Sequence, residues 1–102
     1  GVSMKEQYLL IARDGKDSGA EERRLNVRPA HLDKIRELKK SGEFLFGGAI
    51  LDENGIMRGS MILYEVSGRE RLDEILKDEP YISGGVWKDI EIVPFRLAKI
   101  DV

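Results

Sequence analysis

The sequence of 102 residues contains a single histidine, His31, and this is the side chain best suited to proton transfer near neutral pH. Pro29 predicts the first turn of a helix, because its missing N–H would be unpaired there in any case. His31 then lies near the positive end of the helix dipole, which disfavours the imidazolium form, as a general base requires. A lone histidine is more often a structural residue, so the catalytic interpretation depends on a partner group.

A partner carboxylate is available at Asp78 or Glu79, where a second predicted helix ends before Pro80. A carboxylate that reached His31 could orient its tautomer, as the third member of a catalytic triad does. The competing interpretation is a solvated turn, since acidic groups at a helix C-terminus oppose the dipole and add little stability. Tyr81 follows directly in the same segment.

Three other positions predict a small-molecule pocket beside the histidine. Arg28 lies at the predicted helix start, where it either pairs with the acidic residues 21–22 or clamps an anion together with the helix amides. Gly48 belongs to a glycine pair inside a strand, which is typical of a bulge or of close approach by a ligand or another backbone. Ser60 lies on the strand opposite and offers a hydroxyl donor, but no G-x-S-x-G turn surrounds it that would make it a nucleophile.

Composition excludes several other classes of protein. Seventeen basic side chains against nineteen acidic ones give a net charge of −2, so no nucleic-acid partner is expected. One histidine and no cysteine leave only carboxylates for a metal, and calcium-loop spacing is absent, so no metal site is expected. The apolar run at residues 8–12 is far too short for a membrane helix or a signal segment. We therefore predict a cytoplasmic globular chain with one domain over residues 1–102, in which residues 1–3 are an expression scar.

Hydrophobic periodicity and turn residues predict the elements that position these side chains. The predicted order is strand 8–12, loop 15–22, helix 29–40, strand 44–50, hairpin turn 52–55, strand 60–66, a second helix and strand 90–95. The second helix is predicted from a capping box at residues 67–70 and from an apolar face formed by Leu72, Ile75 and Leu76. Gly42 is predicted to end the first helix and Gly55 to close the hairpin, both in backbone conformations that favour glycine. This β-α-β-β-α-β order is the ferredoxin-like pattern of an α+β fold, with two helices on one face of a four-stranded antiparallel sheet.

The strands do not alternate between apolar and polar residues, as strands with one solvated face do. Residues 8–12 are apolar at five successive positions, and residues 61–66 are apolar at all but one. Both faces of the sheet therefore need cover, and a second copy of the sheet would supply it in a two-fold homodimer. The alternative is that some apolar side chains are simply exposed.

Three stretches resemble the YciI-like, or YCII-related, family of proteins. They are residues 28–32, residues 42–48, and residues 79–95, where the family has Asp-Pro-Tyr, Ala-Gly-Val and Val-x-Pro-Phe. The resemblance implies a dimeric ferredoxin-like α+β barrel whose pocket holds a histidine and an aspartate, proposed as a catalytic pair. His31 matches the family histidine, Glu79 stands at the aspartate position with one more methylene, and residues 48–49 replace the usual Gly-Pro.

The same resemblance implies a function, because some family members are tied to dehydrochlorination in haloaromatic breakdown. His31 and Glu79 are expected to transfer a proton without a cofactor, in an elimination, dehydrochlorination or isomerisation of a small acidic or phenolic compound, which would make the chain a lyase or an isomerase. The residues expected to bind the substrate are Arg28, Gly48, Ser60 and Tyr81. The alternative is a small-molecule binding or sensory module with the same pocket and no turnover.

Overall fold

The computed structural model describes residues 4–101. Residues 1–3, predicted above to be an expression scar, and residue 102 lie outside this range. The elements in chain order are β1 (Glu6–Asp14), α1 (Ala20–Ser41), β2 (Phe44–Leu51), β3 (Met57–Val66), α2 (Arg69–Lys77), α3 (Pro80–Ser83) and β4 (Trp87–Phe95). No helix within residues 4–101 is long and apolar enough to cross a membrane.

The four strands form one antiparallel sheet in the order β2-β3-β1-β4. The predicted β-α-β-β-α-β order is confirmed, and the single turn α3 is an addition to it. Helices and sheet share one core, which contains Leu10, Ile62 and Tyr64 of the central strands and Leu38 and Leu72 of the helices. The fold is therefore ferredoxin-like α+β, as predicted.

The first helix begins well before Pro29, at Ala20, so the predicted start is wrong and the predicted loop over residues 15–22 ends too late. Pro29 lies inside the helix, where a proline removes the backbone hydrogen bond to the carbonyl four residues earlier. That carbonyl belongs to Leu25, and both residues are exposed, so water can replace the missing donor. The acidic residues 21–22 lie in the first turn, where their negative charges interact favourably with the helix dipole and stabilise the helix.

The longer helix changes the surroundings of His31. This residue is the twelfth of α1, in the middle of the helix, whereas the prediction put it in the first turn. The dipole acts mainly within the first and last turns, so the predicted effect on His31 does not apply, and Arg28 is not beside free helix amides. His31 reaches the core because it lies on the buried stripe of α1, between Arg24 and Leu38 at seven-residue spacing.

The second helix also begins differently from the prediction. Gly68 precedes α2 and no side chain caps the helix, so the predicted capping box at residues 67–70 is wrong. The helix ends at Lys77, and Asp78 follows as its C-terminal cap. Pro80, which was predicted to end this helix, also begins the next one, α3.

The sheet face without helices, called the open face below, carries an apolar row that runs from one edge of the sheet to the other. In register, one row across all four strands consists of Phe46, Leu63, Leu9 and Val93. At the edge of this row Phe46 is 40% exposed. The absence of alternation in the sequence therefore corresponds to a second apolar surface on the sheet.

Gly47 allows β2 to approach β3 closely. A Cβ built on Gly47 would lie 2.7 Å from the carbonyl oxygen of Met61 and 3.1 Å from Cγ1 of Ile62. A Cβ built on the neighbouring Gly48 would meet no heavy atom within 4 Å. Of the glycine pair, Gly47 is thus the one that the close backbone contact requires.

We expect Gly47→Ala to lower the free energy of unfolding by about 1–3 kcal/mol, because the added methyl group must displace the backbone of β3. Gly48→Ala is the matched control and is expected to change stability by no more than about 0.5 kcal/mol. Urea denaturation measures both variants. Equal stability of the two variants would contradict the tight contact at Gly47.

Candidate active site

His31 and Glu79 meet in the interior, although 48 positions separate them in the sequence. The distance between His31 Nδ1 and Glu79 Oε1 is 2.6 Å. Glu79 has no exposed surface and His31 is 8% exposed. A buried carboxylate needs hydrogen-bond donors, because an uncompensated charge in apolar surroundings is strongly unfavourable. The structure thus places the predicted histidine and the predicted carboxylate within hydrogen-bond distance.

Glu79 is positioned by the short helix that it precedes. It caps α3, and its Oε1 also accepts the backbone N–H of Tyr81 at 3.0 Å. Pro80 suits the first position of that helix because its missing N–H leaves no donor unpaired. Asp78, the other carboxylate considered, is exposed at the end of α2 and makes no hydrogen bond to His31. The two adjacent carboxylates therefore have opposite surroundings.

The hydrogen bond to Glu79 determines the tautomer of His31. An ionised carboxylate can only accept, so Nδ1 carries a hydrogen and donates it to Oε1. The other ring nitrogen, Nε2, makes no hydrogen bond within residues 4–101 and keeps some solvent-accessible surface. In the neutral ring Nε2 has a free lone pair, which is what a general base needs.

A cavity of about 100 Å³ opens between α1 and the sheet. The predicted site residues that line it are Arg28, His31, Gly48, Ser60 and Tyr81. Glu79 does not line the cavity, because it lies behind the ring of His31. The structure therefore brings five of the six predicted residues around one space and leaves the sixth in contact with the histidine.

Aromatic rings hold His31 in place. The ring of Tyr81 stacks on that of His31, with centroids 3.9 Å apart and an angle of 15° between the planes. Trp87 meets His31 edge-on, with centroids 6.1 Å apart. Burial raises the pKa of the Tyr81 hydroxyl, although the charges of Arg24 and Arg28 act in the opposite direction. The Tyr81 phenol therefore stays protonated at neutral pH and can donate a hydrogen bond.

Gly48 contributes backbone to the cavity rather than space for a ligand. It pairs in register with Met61, which belongs to the open face, whereas Gly47 and Ala49 pair with residues on the helix face. Both of these neighbours also line the cavity. Room for a ligand along β2 thus comes from Gly47 and Ala49, a distinction that depends on strand register and not on residue type.

Arg24 lines the same cavity and is absent from the predicted site. Its Nη1 donates to both carboxylate oxygens of Asp14, at 2.9 and 3.0 Å, and its Nη2 donates to Ser60 Oγ at 2.7 Å. Its Cζ lies 4.7 Å from the centre of the Tyr81 ring, in cation–π contact. The seven-residue spacing from Arg24 to His31 is the signal that would have revealed it, had the helix been extended upstream.

Arg28 remains as a free positive charge at the cavity. It is exposed and forms no ion pair within residues 4–101, so the predicted alternative of a salt bridge to residues 21–22 is not found there. The charge of Arg24 is neutralised by Asp14, whose side chain is 2% exposed. In the cavity, an anionic ligand would therefore pair with the Arg28 side chain.

Three buried polar atoms at or near the site have no hydrogen-bond partner within residues 4–101, namely Arg24 Nε, Glu79 Oε2 and Tyr64 Oη. Burial raises the pKa of the Tyr64 hydroxyl, and the Glu79 charge acts in the same direction. A buried polar atom without a partner lowers stability by about 1–3 kcal/mol. Each of these three atoms therefore lowers the stability of the fold, whereas Nη1 and Nη2 of Arg24 and Oε1 of Glu79 are hydrogen-bonded.

Residues 6–96 match the YCII-related domain, and the chain belongs to that family. The resemblance found in the sequence is thereby confirmed. Protein YciI of Escherichia coli O6:H1 is 32% identical over 95 residues, which cover 87% of this chain and 95% of that protein. An uncharacterized protein of Haemophilus influenzae is 28% identical over 95 residues, with the same coverage of 87% and 95%.

Solved structures share the fold. The 5-chloro-2-hydroxyhydroquinone dehydrochlorinase TftG from Burkholderia phenoliruptrix AC1100, in complex with 2,5-dihydroxybenzoquinone, matches with a TM-score of 0.77 and 18% identity, over 90% of this chain and 95% of that chain. A dimeric ferredoxin-like protein from an uncultured marine organism matches with a TM-score of 0.57 and 14% identity, over 98% and 96% of the two chains. At these identities the likeness shows the fold alone.

Glu79→Gln is expected to shift the NMR signals of the His31 ring, because it replaces the carboxylate that accepts the Nδ1 hydrogen with an uncharged amide. His31 is the only histidine, so its ring signals can be followed by NMR without overlap. Asp78→Asn is the matched control, since it makes the same chemical change at an exposed neighbour, and it is expected to leave the ring signals in place. Identical His31 ring signals in Glu79→Gln and the parent protein would mean that the hydrogen-bonded pair does not exist.

Proposed function

We propose that the chain is a cofactor-free lyase or isomerase that moves a proton on a small acidic or phenolic compound. The observation that carries this proposal is the 2.6 Å hydrogen bond from His31 Nδ1 to the buried Glu79, which leaves Nε2 free in the wall of a cavity. The same arrangement of carboxylate and imidazole serves general-base catalysis elsewhere, because the carboxylate holds the tautomer and stabilises the imidazolium once it forms.

In the proposed reaction, His31 is the catalytic residue and Glu79 is a positioning residue, because His31 lines the cavity and Glu79 does not. A C–H or O–H bond of the substrate breaks and its proton passes to Nε2. In an elimination, the electron pair left behind forms a new double bond. A leaving group such as chloride departs with the electron pair of the bond that held it to carbon. In an isomerisation the proton returns at another atom.

The lining of the cavity supports an acidic or phenolic substrate. Arg28 supplies an unpaired positive charge, and the hydroxyl groups of Ser60 and Tyr81 supply hydrogen-bonding groups. Gly48 adds a stretch of backbone without a side chain. TftG, which shares the fold, acts on a chlorinated hydroxyhydroquinone and was solved with 2,5-dihydroxybenzoquinone, so hydroxylated rings are the first compounds to test.

We expect the parent protein to convert at least one member of a panel of chlorinated phenols, chlorinated hydroquinones and lactones, with chloride release and absorbance as readouts. His31→Gln is expected to reduce the rate by about 10²–10⁴-fold, which is the usual contribution of a general base. Glu79→Gln is expected to be slower than the parent and Asp78→Asn equal to it. If 2,5-dihydroxybenzoquinone raises the melting temperature and nothing in the panel is turned over, the chain is instead a binding or sensory module.

The assembly that we propose is a homodimer in which two open faces pack together around a two-fold axis. The apolar row ends at Phe46 on the β2 edge of the sheet, and Phe95 on β4 lies in the next row, opposite Gln7. Both aromatic side chains are 40% exposed, and exposed apolar side chains grouped on one face are typical of an interface. Two of the solved structures that share the fold are described as dimeric.

Light scattering at micromolar concentration is expected to give twice the chain mass of 11.6 kDa. Phe46→Lys is expected to yield monomers, because it places a charge within the apolar row, on a side chain exposed enough to be replaced without unfolding. Leu25→Lys is the control, since Leu25 is a 50% exposed leucine on α1, away from the open face. A parent protein with the mass of one chain would rule out this dimer.

A further inference from the structure

We propose that Arg24 and Trp87 make the Ser60 hydroxyl an obligate hydrogen-bond donor, so that the cavity selects a ligand with a deprotonated oxygen, a phenolate or an enolate, over its neutral ether. This inference deepens the proposed function and rests on it, because it takes the cavity as the place where the ligand binds. It assigns Ser60 a role in specificity and Arg24 a role in positioning Ser60.

The hydrogen-bonding capacity of Ser60 is already used on its acceptor side. Ser60 Oγ accepts from Arg24 Nη2 at 2.7 Å and from Trp87 Nε1 at 3.2 Å. Both partners have donors only, so neither can receive the serine hydrogen. A hydroxyl oxygen has two lone pairs, and both are now engaged. The single hydrogen of Ser60 donates to no acceptor within residues 4–101, and Ser60 lines the cavity.

Arg24 cannot easily release Ser60. Its Nη1 is held by both oxygens of Asp14, and the side chains of Arg24 and Asp14 are 4% and 2% exposed. Breaking a buried pair of this kind leaves an uncompensated charge, which is strongly unfavourable. The bond from a guanidinium also draws electron density from Oγ, which strengthens the O–H group as a donor. The Arg24–Asp14 pair therefore fixes both the direction and the strength of this donor.

A donor held in this way distinguishes ligands by the charge on one oxygen. A phenolate or enolate oxygen accepts a strong hydrogen bond from Ser60, whereas an ether oxygen accepts a weak one and an added methyl group crowds the hydroxyl. The proposed proton transfer would generate such an oxygen. When a C–H bond beside a carbonyl group breaks, the proton passes to His31 Nε2, the C–H electron pair forms a C=C bond, and the carbonyl π pair moves to the oxygen, which then accepts from Ser60 as an enolate. Arg28 adds attraction for the anion from the exposed side of the cavity.

The test uses 4-nitrophenolate and its methyl ether, 4-nitroanisole, as probes at a pH where the phenol is ionised. The parent protein is expected to bind the phenolate at least about tenfold more tightly than the ether, as one hydrogen bond to a charged acceptor allows. Ser60→Ala is expected to lose most of this preference, Ser60→Thr to retain it because the hydroxyl remains, and Ser67→Ala, at an exposed serine outside the cavity, to match the parent. Equal binding of the two probes by the parent, a full preference in folded Ser60→Ala, or no phenolate binding at millimolar concentration would overturn the proposal.

A second measurement covers the case in which Ser60→Ala fails to fold. Trp87 is the only tryptophan, so its indole N–H gives one NMR signal that reports on the bond to Ser60. In the parent protein 4-nitrophenolate is expected to shift this signal and 4-nitroanisole to leave it in place. If neither probe shifts it while His31 still responds to Glu79→Gln and turnover is found, selection by Ser60 is wrong and the proposed function stands. If the phenolate preference is present but no compound is turned over, selection by Ser60 is correct and the proposed catalytic function is wrong.

Discussion

A carboxylate without any exposed surface is the constraint on which the rest of the site depends. Burying Glu79 requires donors, and two arrive from different parts of the chain, the ring of His31 on α1 and the backbone N–H of Tyr81 on α3. The second bond forms the start of α3, and the start of α3 brings the Tyr81 ring onto the imidazole. One buried charge thus sets the tautomer of the histidine, the beginning of a helix and the stacking that limits the movement of the ring.

Much of the fold was predictable because it depends on local chemistry. Gly42 and Gly55 have φ angles of +83° and +79°, which glycine adopts readily, so the end of α1 and the hairpin could be read from residue type alone. The start of α1 could not. Proline usually opens a helix, but here it lies on an exposed side where water replaces the lost donor. Of the inward positions upstream of it, Ala20 is small, Arg24 is charged and Val27 is only partly buried, so the apolar stripe that would have revealed the helix is weak there.

The candidate site also contains contacts that could be predicted from the sequence and contacts that could not. His31 and Glu79 could be paired because the resemblance to a family supplied the long-range contact that the sequence does not contain. The network of Arg24, Asp14, Ser60 and Trp87 had no such guide, and its contacts span 10 to 36 positions. They exist because β1 pairs with β3 and with β4 in one particular register, which sets Asp14 opposite Trp87 and Ser60 opposite Ala12. Periodicity indicates that a strand exists and which residues share a face, but the neighbour of each residue is decided only when the sheet assembles.

The buried polar groups of Arg24 and Glu79 have a consequence for how this protein would change over generations. Apolar side chains of similar volume in place of a whole buried pair, such as Arg24 with Asp14, would often increase the stability of the fold. Replacing Arg24 alone would leave the Asp14 charge buried without its partner, and replacing Glu79 alone would remove the acceptor of two buried donors, so each single step lowers stability. A lineage with no use for the cavity would therefore lose these polar groups only through paired substitutions.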